Sequence, residues 1–310
     1  MQQKPPISPY LALIGALLAV STAAVMIRVA QGEAPSLVIA ASRLLIATLV
    51  LGPFALGRYR GELKQLPGRQ WVWAGLAGLF LAAHFATWIT SLEYTSVASS
   101  VVLVATVPLW VALASPALLK EKLPTIAVIG LIVALTGSTV VGLSEGCRFD
   151  SGSLVCTQIG SFFQGRAMWG NLLALAGAVC DAAYIMIGRR ARGTLSTVPY
   201  IFIVYGVAAT VLVGVSISLG YSFTGYSLPV YGCLLLLGLV PQLIGHSTVN
   251  WALKYLSASF VSVALLGEPI SATLLALLFL GEAPSVLEMG GGVLILVGIY
   301  LATRSEKQPS

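Results

Sequence analysis

Five residues of this 310-residue chain carry ionisable side chains inside otherwise apolar stretches: Arg43, His84, Asp181, His246 and Glu268. Burying such groups away from water is costly, so each needs a role. Glu268 stands directly before Pro269. Proline removes a helical donor and frees a carbonyl upstream, which sets backbone dipoles beside a carboxylate. That combination suits a cation, a substrate amine, or a proton that is loaded and released. The competing reading is a structural carboxylate that pairs with Arg or a hydroxyl and ties two helices together. Tyr184 follows Asp181 by three residues, so both share one helix face. Asp181 either encodes substrate choice or extends towards the cytoplasmic interface.

His84 and Trp88 are spaced i, i+4, as are His246 and Asn250. Together they offer aromatic surface, an amide and two titratable rings, which suits an amino acid or another small polar organic molecule. The alternative is two core histidines bonded to backbone or Ser. Arg43 is expected as a structural ion pair or carbonyl clamp, or else as the anchor of a substrate carboxylate. Cys147 and Cys156 are nine residues apart in one polar connection and could form a disulfide, whereas Cys180 and Cys233 lie in apolar runs and read as packing residues. No Walker A sequence occurs, so ATP is not the evident energy source, and no H-E-x-x-H zinc motif occurs. The expectation is no cofactor, no metal and no enzymatic activity.

The elements that hold these residues follow from composition. Of all residues, 57% are hydrophobic and 9% charged; a soluble domain carries about 25% charged residues. The bilayer is the solvent that makes such a chain stable. About 20 apolar residues span the hydrocarbon. Ten runs qualify: 9–30, 35–57, 70–91, 96–118, 123–143, 167–189, 197–219, 230–252, 257–280 and 283–303. None alternates like a strand, so the expected fold class is an all-α integral membrane protein. The first run lacks a small-residue cleavage signature and reads as a retained helix.

The net charge of +6 reflects topology rather than nucleic-acid binding. Even-numbered connections and both termini hold Lys4, Arg58, Arg60, Lys64, Arg69, Lys120, Lys122, Arg189, Arg190, Arg192, Lys254, Arg304 and Lys307. The opposite side holds Arg28, Arg148 and Arg166. Thirteen against three puts both termini in the cytoplasm of a cell (inner) membrane. The connection with Cys147 and Cys156 then lies on the oxidising side, where a disulfide persists.

The chain also repeats itself at an offset of 161. Arg28 matches Arg189, Leu92 Leu253, Tyr94 Tyr255, Ser96 Ser257, Pro108 Pro269, Glu121 Glu282, Gly130 Gly291 and Gly137 Gly298. Each half holds five runs, and an odd number inserts the second half upside down. Residues 1–143 form the first repeat with a short cytoplasmic N-terminus, 144–166 an external loop, 167–303 the second repeat and 304–310 a cytoplasmic tail. Inverted repeats let two like halves rock between inward-open and outward-open states. Glu121 and Glu282 read as structural residues at helix ends. The glycine pairs read as close helix packing, or as a dimer surface, so monomer and homodimer both stay open.

Three segments carry a family resemblance: "ASRLLIATLVL" in the second run, "SLEYTSVASSVVLVATVPLWVAL" over the fourth, and "WALKYLSASFVSVALLGEPISATLLALLFLGE" over the ninth. The chain resembles the EamA-type branch of the drug/metabolite transporter superfamily over about 10–303. The resemblance implies ten helices and a central cavity lined by helices 1, 3, 4, 6, 8 and 9. Arg43 matches the family's arginine near the start of the second helix. The first helix, "LLAVSTAAVMIRVA", departs from the pattern by lacking a bulky aromatic residue.

The expected function is a secondary transporter exporting amino acids or similar metabolites by alternating access about a midplane cavity, with proton coupling through Glu268 or Asp181. Its partners are a small-molecule substrate and the lipid bilayer. The alternative is a membrane-embedded enzyme or lipid-handling protein whose Asp, Glu and His do acid–base work. Pseudo-symmetric halves favour the transporter, since an enzyme has no need of them. A channel would need rings of like polar residues, which the sequence does not offer.

Overall fold

The computed structural model describes residues 7–119, 125–144, 147–150, 153–156, 165–191, 195–252, 255, 265 and 267–304. Glu121, most of the stretch 256–266 that opens the ninth expected run, and the extreme termini lie outside them.

Prolines and serines start the helices, because their side chains suit the half-extended residue before the first turn. α1 spans Pro9–Ala30 with a break at Thr22, whose hydroxyl donates to the Ala19 carbonyl at 2.7 Å. α2 (Ser36–Gly57) follows Pro35, and α3 (Gly68–Ser91) follows Pro67. α4 runs as Val97–Val104 and, after a turn before Pro108, as Val107–Leu119. Its Ser96 cap accepts the Ser99 N–H at 3.0 Å. α5 is Thr125–Leu143, α6 Arg166–Ala191 and α7 Thr197–Ser218. α8 (Leu228–Ala252) widens to a π-helix over Gly238–His246, around Pro241. α9 is Gly267–Leu280 and α10 Val286–Arg304.

Among the described residues, six helices are long and apolar enough to cross a membrane: α1, α2, α3, α6, α7 and α8. The apolar parts of α4, α5, α9 and α10 are shorter. The exterior is apolar and the interior holds the polar groups. Leu278 and Phe279 are 76% and 72% exposed, whereas Arg43 is fully enclosed. Water would not tolerate that inversion, but lipid favours it.

One departure from the expected all-helical chain lies in the connection after α5. Strands β1 (Cys147–Asp150) and β2 (Ser153–Cys156) pair antiparallel with Cys147 opposite Cys156. The two sulfurs are bonded. A crosslink between directly opposed residues holds the two strand ends together, so a short hairpin forms where a loop was expected.

The helices pack in a telling order: α3 on α6 and α1 on α8, with α2 on α7, α4 on α9 and α5 on α10. Exchanging the halves, helix n for helix n+5, converts the first two pairs into each other and returns the other three to themselves. The glycines show the same exchange at atomic scale. A Cβ on Gly137 would lie 2.6 Å from the Gly291 carbonyl oxygen, and one on Gly298 would lie 2.5 Å from that of Gly130. At the 161 offset each contact is the image of the other. The glycines therefore join α5 to α10 within one chain, which is their packing role.

Gly281 ends α9 with φ +69, a left-handed conformation that glycine adopts without strain. The turn delivers Glu282 to Arg28, whose Nε donates at 2.8 Å. Arg28 also donates to the Leu92 and Thr95 carbonyls, and the second Glu282 oxygen accepts the Val97 N–H at 3.1 Å. This is the one ion pair among the described residues. It ties the ends of α1 and α9 to the turn between α3 and α4.

Candidate substrate site

Arg43 sits two turns into α2, fully enclosed. Its guanidinium carbon lies 4.2 Å from the centre of the Phe85 ring and 5.9 Å from that of Trp88. The three guanidinium nitrogens have no hydrogen-bond partner among the described residues. Among the described residues, neither the ion pair nor the carbonyl clamp anticipated for Arg43 is formed.

The other ionisable residues named from the sequence converge on the same place. Glu268 is within electrostatic reach of Arg43 and Asp181, Asp181 of His84, and His246 of Arg43 and His84. Five elements deliver them: α2, α3, α6, α8 and α9. Asp181, His246 and Glu268 are half-buried, while Arg43, His84 and Trp88 are buried. Glu268 occupies the first described turn of α9, next to the buried Pro269. The mid-helix break expected upstream of it falls largely outside the described residues.

The two histidines take different parts. His84 donates from Nδ1 to the Gly177 carbonyl of α6 at 2.9 Å and stacks on Trp88, ring centres 5.9 Å apart. That bond fixes one ring nitrogen against the backbone. His246 meets Phe85 edge to face at 5.9 Å. Asn250 donates to the His246 carbonyl at 2.9 Å. Tyr184 is buried, and Tyr205 of α7 lies beside it with Gln242, Ser247 and Arg43 as further neighbours.

The repeat explains why the histidines are out of register by one. At the 161 offset His84 corresponds to Gly245, and Gly177 to Ala16. A Cβ on Gly245 would lie 2.6 Å from Val20 and 3.4 Å from the Ala16 carbonyl oxygen. α8 approaches α1 so closely there that no histidine fits. His246 is instead the counterpart of Phe85, and these two counterparts touch.

The remaining polar residues break the repeat. Arg43 corresponds to Val204, Asp181 to Val20, Tyr205 to Leu44, Gln242 to Leu81 and Glu268 to Val107. Residues that match across the halves, such as Arg28, Pro108, Glu282 and the glycines, serve the architecture. Those that do not match gather around Arg43. Three of the neighbours were not foreseen: Phe85, Tyr205 and Gln242. An aromatic within an apolar run carries no signal beyond packing. The π-helical widening of α8, which carries Gln242 and His246, could have been suspected from Pro241 between Gly238 and Gly245.

No group of three His, Cys, Asp or Glu with metal-binding geometry occurs among the described residues. Gly142–Gly146 spells G-L-S-E-G, the letters of a serine-hydrolase elbow. Its Gly142 and Leu143 end helix α5 rather than a strand, and Ser144 donates its hydroxyl proton to the Val141 carbonyl at 2.7 Å. The context that gives the motif its chemistry is therefore missing.

The EamA-like transporter family matches the chain twice, over residues 7–143 and 168–304. The two starts, 7 and 168, differ by 161, the offset of the repeat. An uncharacterized transporter of Bacillus subtilis (strain 168), YyaM, is 24% identical over 82% of this chain and 79% of its own length. An uncharacterized transporter of Clostridium kluyveri is 26% identical over 85% and 82%. A probable terminal-alkyne amino-acid exporter of Streptantibioticus cattleyicolor is 25% identical over 85% and 82%. A protein of known crystal structure superposes with a TM-score of 0.63 over 96% of both chains at 23% identity.

Proposed function

The chain belongs to the EamA-like transporter family, and from that premise we propose that it is a secondary transporter of amino acids or similar small metabolites, acting in the export direction. The observation that carries this reading is the cluster of opposite charges and aromatic rings around the enclosed Arg43, contributed by both halves. A zwitterion needs both a cation and a carboxylate partner, and the cluster supplies each. The amino-acid exporter among the relatives supports the same substrate class.

Ten helices in two inverted halves operate by alternating access around this cluster. The packing order of the helices and the exchanged glycine contacts support that arrangement. The lysine and arginine distribution puts both termini in the cytoplasm of the cell (inner) membrane. The hairpin closed by Cys147 and Cys156 then faces the oxidising side. The Arg28–Glu282 tie lies on that same outer side and seals it in this conformation. Glu268 or Asp181 carries the coupling proton.

Flux in proteoliposomes tests the reading. The purified protein is reconstituted with each of a panel of amino acids inside, under two pH gradients. Efflux of at least one amino acid faster than from protein-free vesicles, and dependent on the gradient, is expected. Absence of protein-dependent flux for the whole panel would overturn it.

A further inference from the structure

We propose that Arg43 is the anchor for the substrate's carboxylate, so that the transported species must carry a free carboxyl group next to its amine. This rests on the transporter reading above and names the chemistry its site selects. A guanidinium keeps its charge at any physiological pH, and an unpaired charge in the interior costs several kcal/mol. Arg43 is fully enclosed, yet among the described residues its three nitrogens have no hydrogen-bond partner and no carboxylate pairs with it. A protein retains such an arrangement when a ligand completes it.

The geometry selects the ligand. Phe85 covers one face of the guanidinium, so its hydrogen-bonding edge is what remains. That planar fork matches a carboxylate with two parallel hydrogen bonds. A second donor, the Trp88 indole N–H, is also buried without a partner among the described residues, on the same wall. Glu268 is near enough to be felt by Arg43, and Asp181 by Glu268, but among the described residues no ion pair joins either acid to the arginine. They are left for an amine, which makes the site bipolar. Arg43 and Trp88 correspond to Val204 and Val249 in the other half, so neither is required by the repeat.

The test compares amino acids with the amines obtained by removing their carboxyl groups. Thermal stabilisation of the purified, detergent-solubilised protein reports binding. The wild type is expected to bind at least one amino acid about 10- to 100-fold more tightly than its matching amine, the range for a hydrogen bond to a charged group. Arg43→Gln should abolish that preference, and Arg43→Lys should retain part of it. Equal binding of acid and amine by the wild type overturns the anchor, as does binding of neither. A folded Arg43→Gln protein with an undiminished preference also overturns it. Should Arg43→Gln fail to fold, the wild-type ratio and the Arg43→Lys ratio decide. Proteoliposomes separate the two readings. Flux of amino acids that is matched by equal flux of the corresponding amines removes the anchor and keeps the transporter, whereas no flux of either removes both.

Discussion

At the scale of single residues, the separation between Arg43 and Glu268 is the informative quantity. The two are within electrostatic reach but not paired, so Glu268 is not required to hold Arg43 in place. Glu268→Gln, which mimics the permanently protonated acid, is therefore expected to fold. Under the proton-coupling proposal it keeps substrate counterflow, which moves no net proton, and loses gradient-driven accumulation. Asp181→Asn asks the same question of the second acid. Glu268 is the expected carrier, because it adjoins Pro269 and shares the neighbourhood of both Arg43 and Asp181. Retention of full pH-driven transport by a well-folded Glu268→Gln protein would remove Glu268 from the cycle. Retention by both variants would leave facilitated diffusion or another ion. A structural role predicts a different pattern: loss of expression and of counterflow together.

At the scale of elements, the glycines of α5 and α10 make a sharp pair of predictions. A Cβ on Gly291 would meet the Gly137 carbonyl oxygen at 2.7 Å and the Val141 N–H at 2.9 Å, and backbone cannot yield. Gly291→Ala should destabilise by about 1–3 kcal/mol, the usual cost of overpacking. Gly290, its neighbour, meets nothing within 4 Å. Gly290→Ala should instead stabilise the helix by roughly 0.5–1 kcal/mol. Thermal unfolding in detergent measures both, and equal shifts would contradict the packing. The Arg28–Glu282 tie is tested by a double-mutant cycle with Arg28→Gln and Glu282→Gln. Residues in direct contact couple by about 0.5–3 kcal/mol, and additive effects would mean the pair contributes nothing. If the tie seals the outer side, either variant also raises labelling of cysteines placed near Glu268 by impermeant reagents added outside.

At the scale of the whole molecule, orientation is the quantity to measure. In a cysteine-free background, a single cysteine at position 150 is expected to react with an impermeant reagent from outside, and one at position 64 only from inside. Outside labelling of position 64 would reverse the topology. In the unaltered chain, Cys147 and Cys156 should resist alkylation until a reductant is added, because their sulfurs are bonded. Cys180 and Cys233 are free, and they serve as the internal comparison.

Much of this protein could be read from residue order alone. Mean composition named the solvent, since 9% charged residues cannot cover a water-exposed surface. Apolar runs marked the helices, six of which, among the described residues, are long and apolar enough to cross a membrane, because the hydrocarbon thickness demands about 20 residues. The 161 offset exposed two like halves, and the family matches begin at that same spacing. The five ionisable residues of the cluster were also legible, because apolar flanks make any charge conspicuous. Other features needed the third dimension. Phe85, Tyr205 and Gln242 carry no mark in the sequence; they join the site because three helices bring Phe85 against Arg43, Tyr205 within its reach, and Gln242 beside Tyr205. The offset between His84 and His246 looked like a near-match of equivalent residues, and only the contact of Gly245 with α1 showed why it is not. That Arg43 lacks a partner among the described residues is likewise a property of distances between helices. Periodicity and spacing operate along one helix at a time, whereas a partner, or the absence of one, is decided by which other helix arrives and how close it comes.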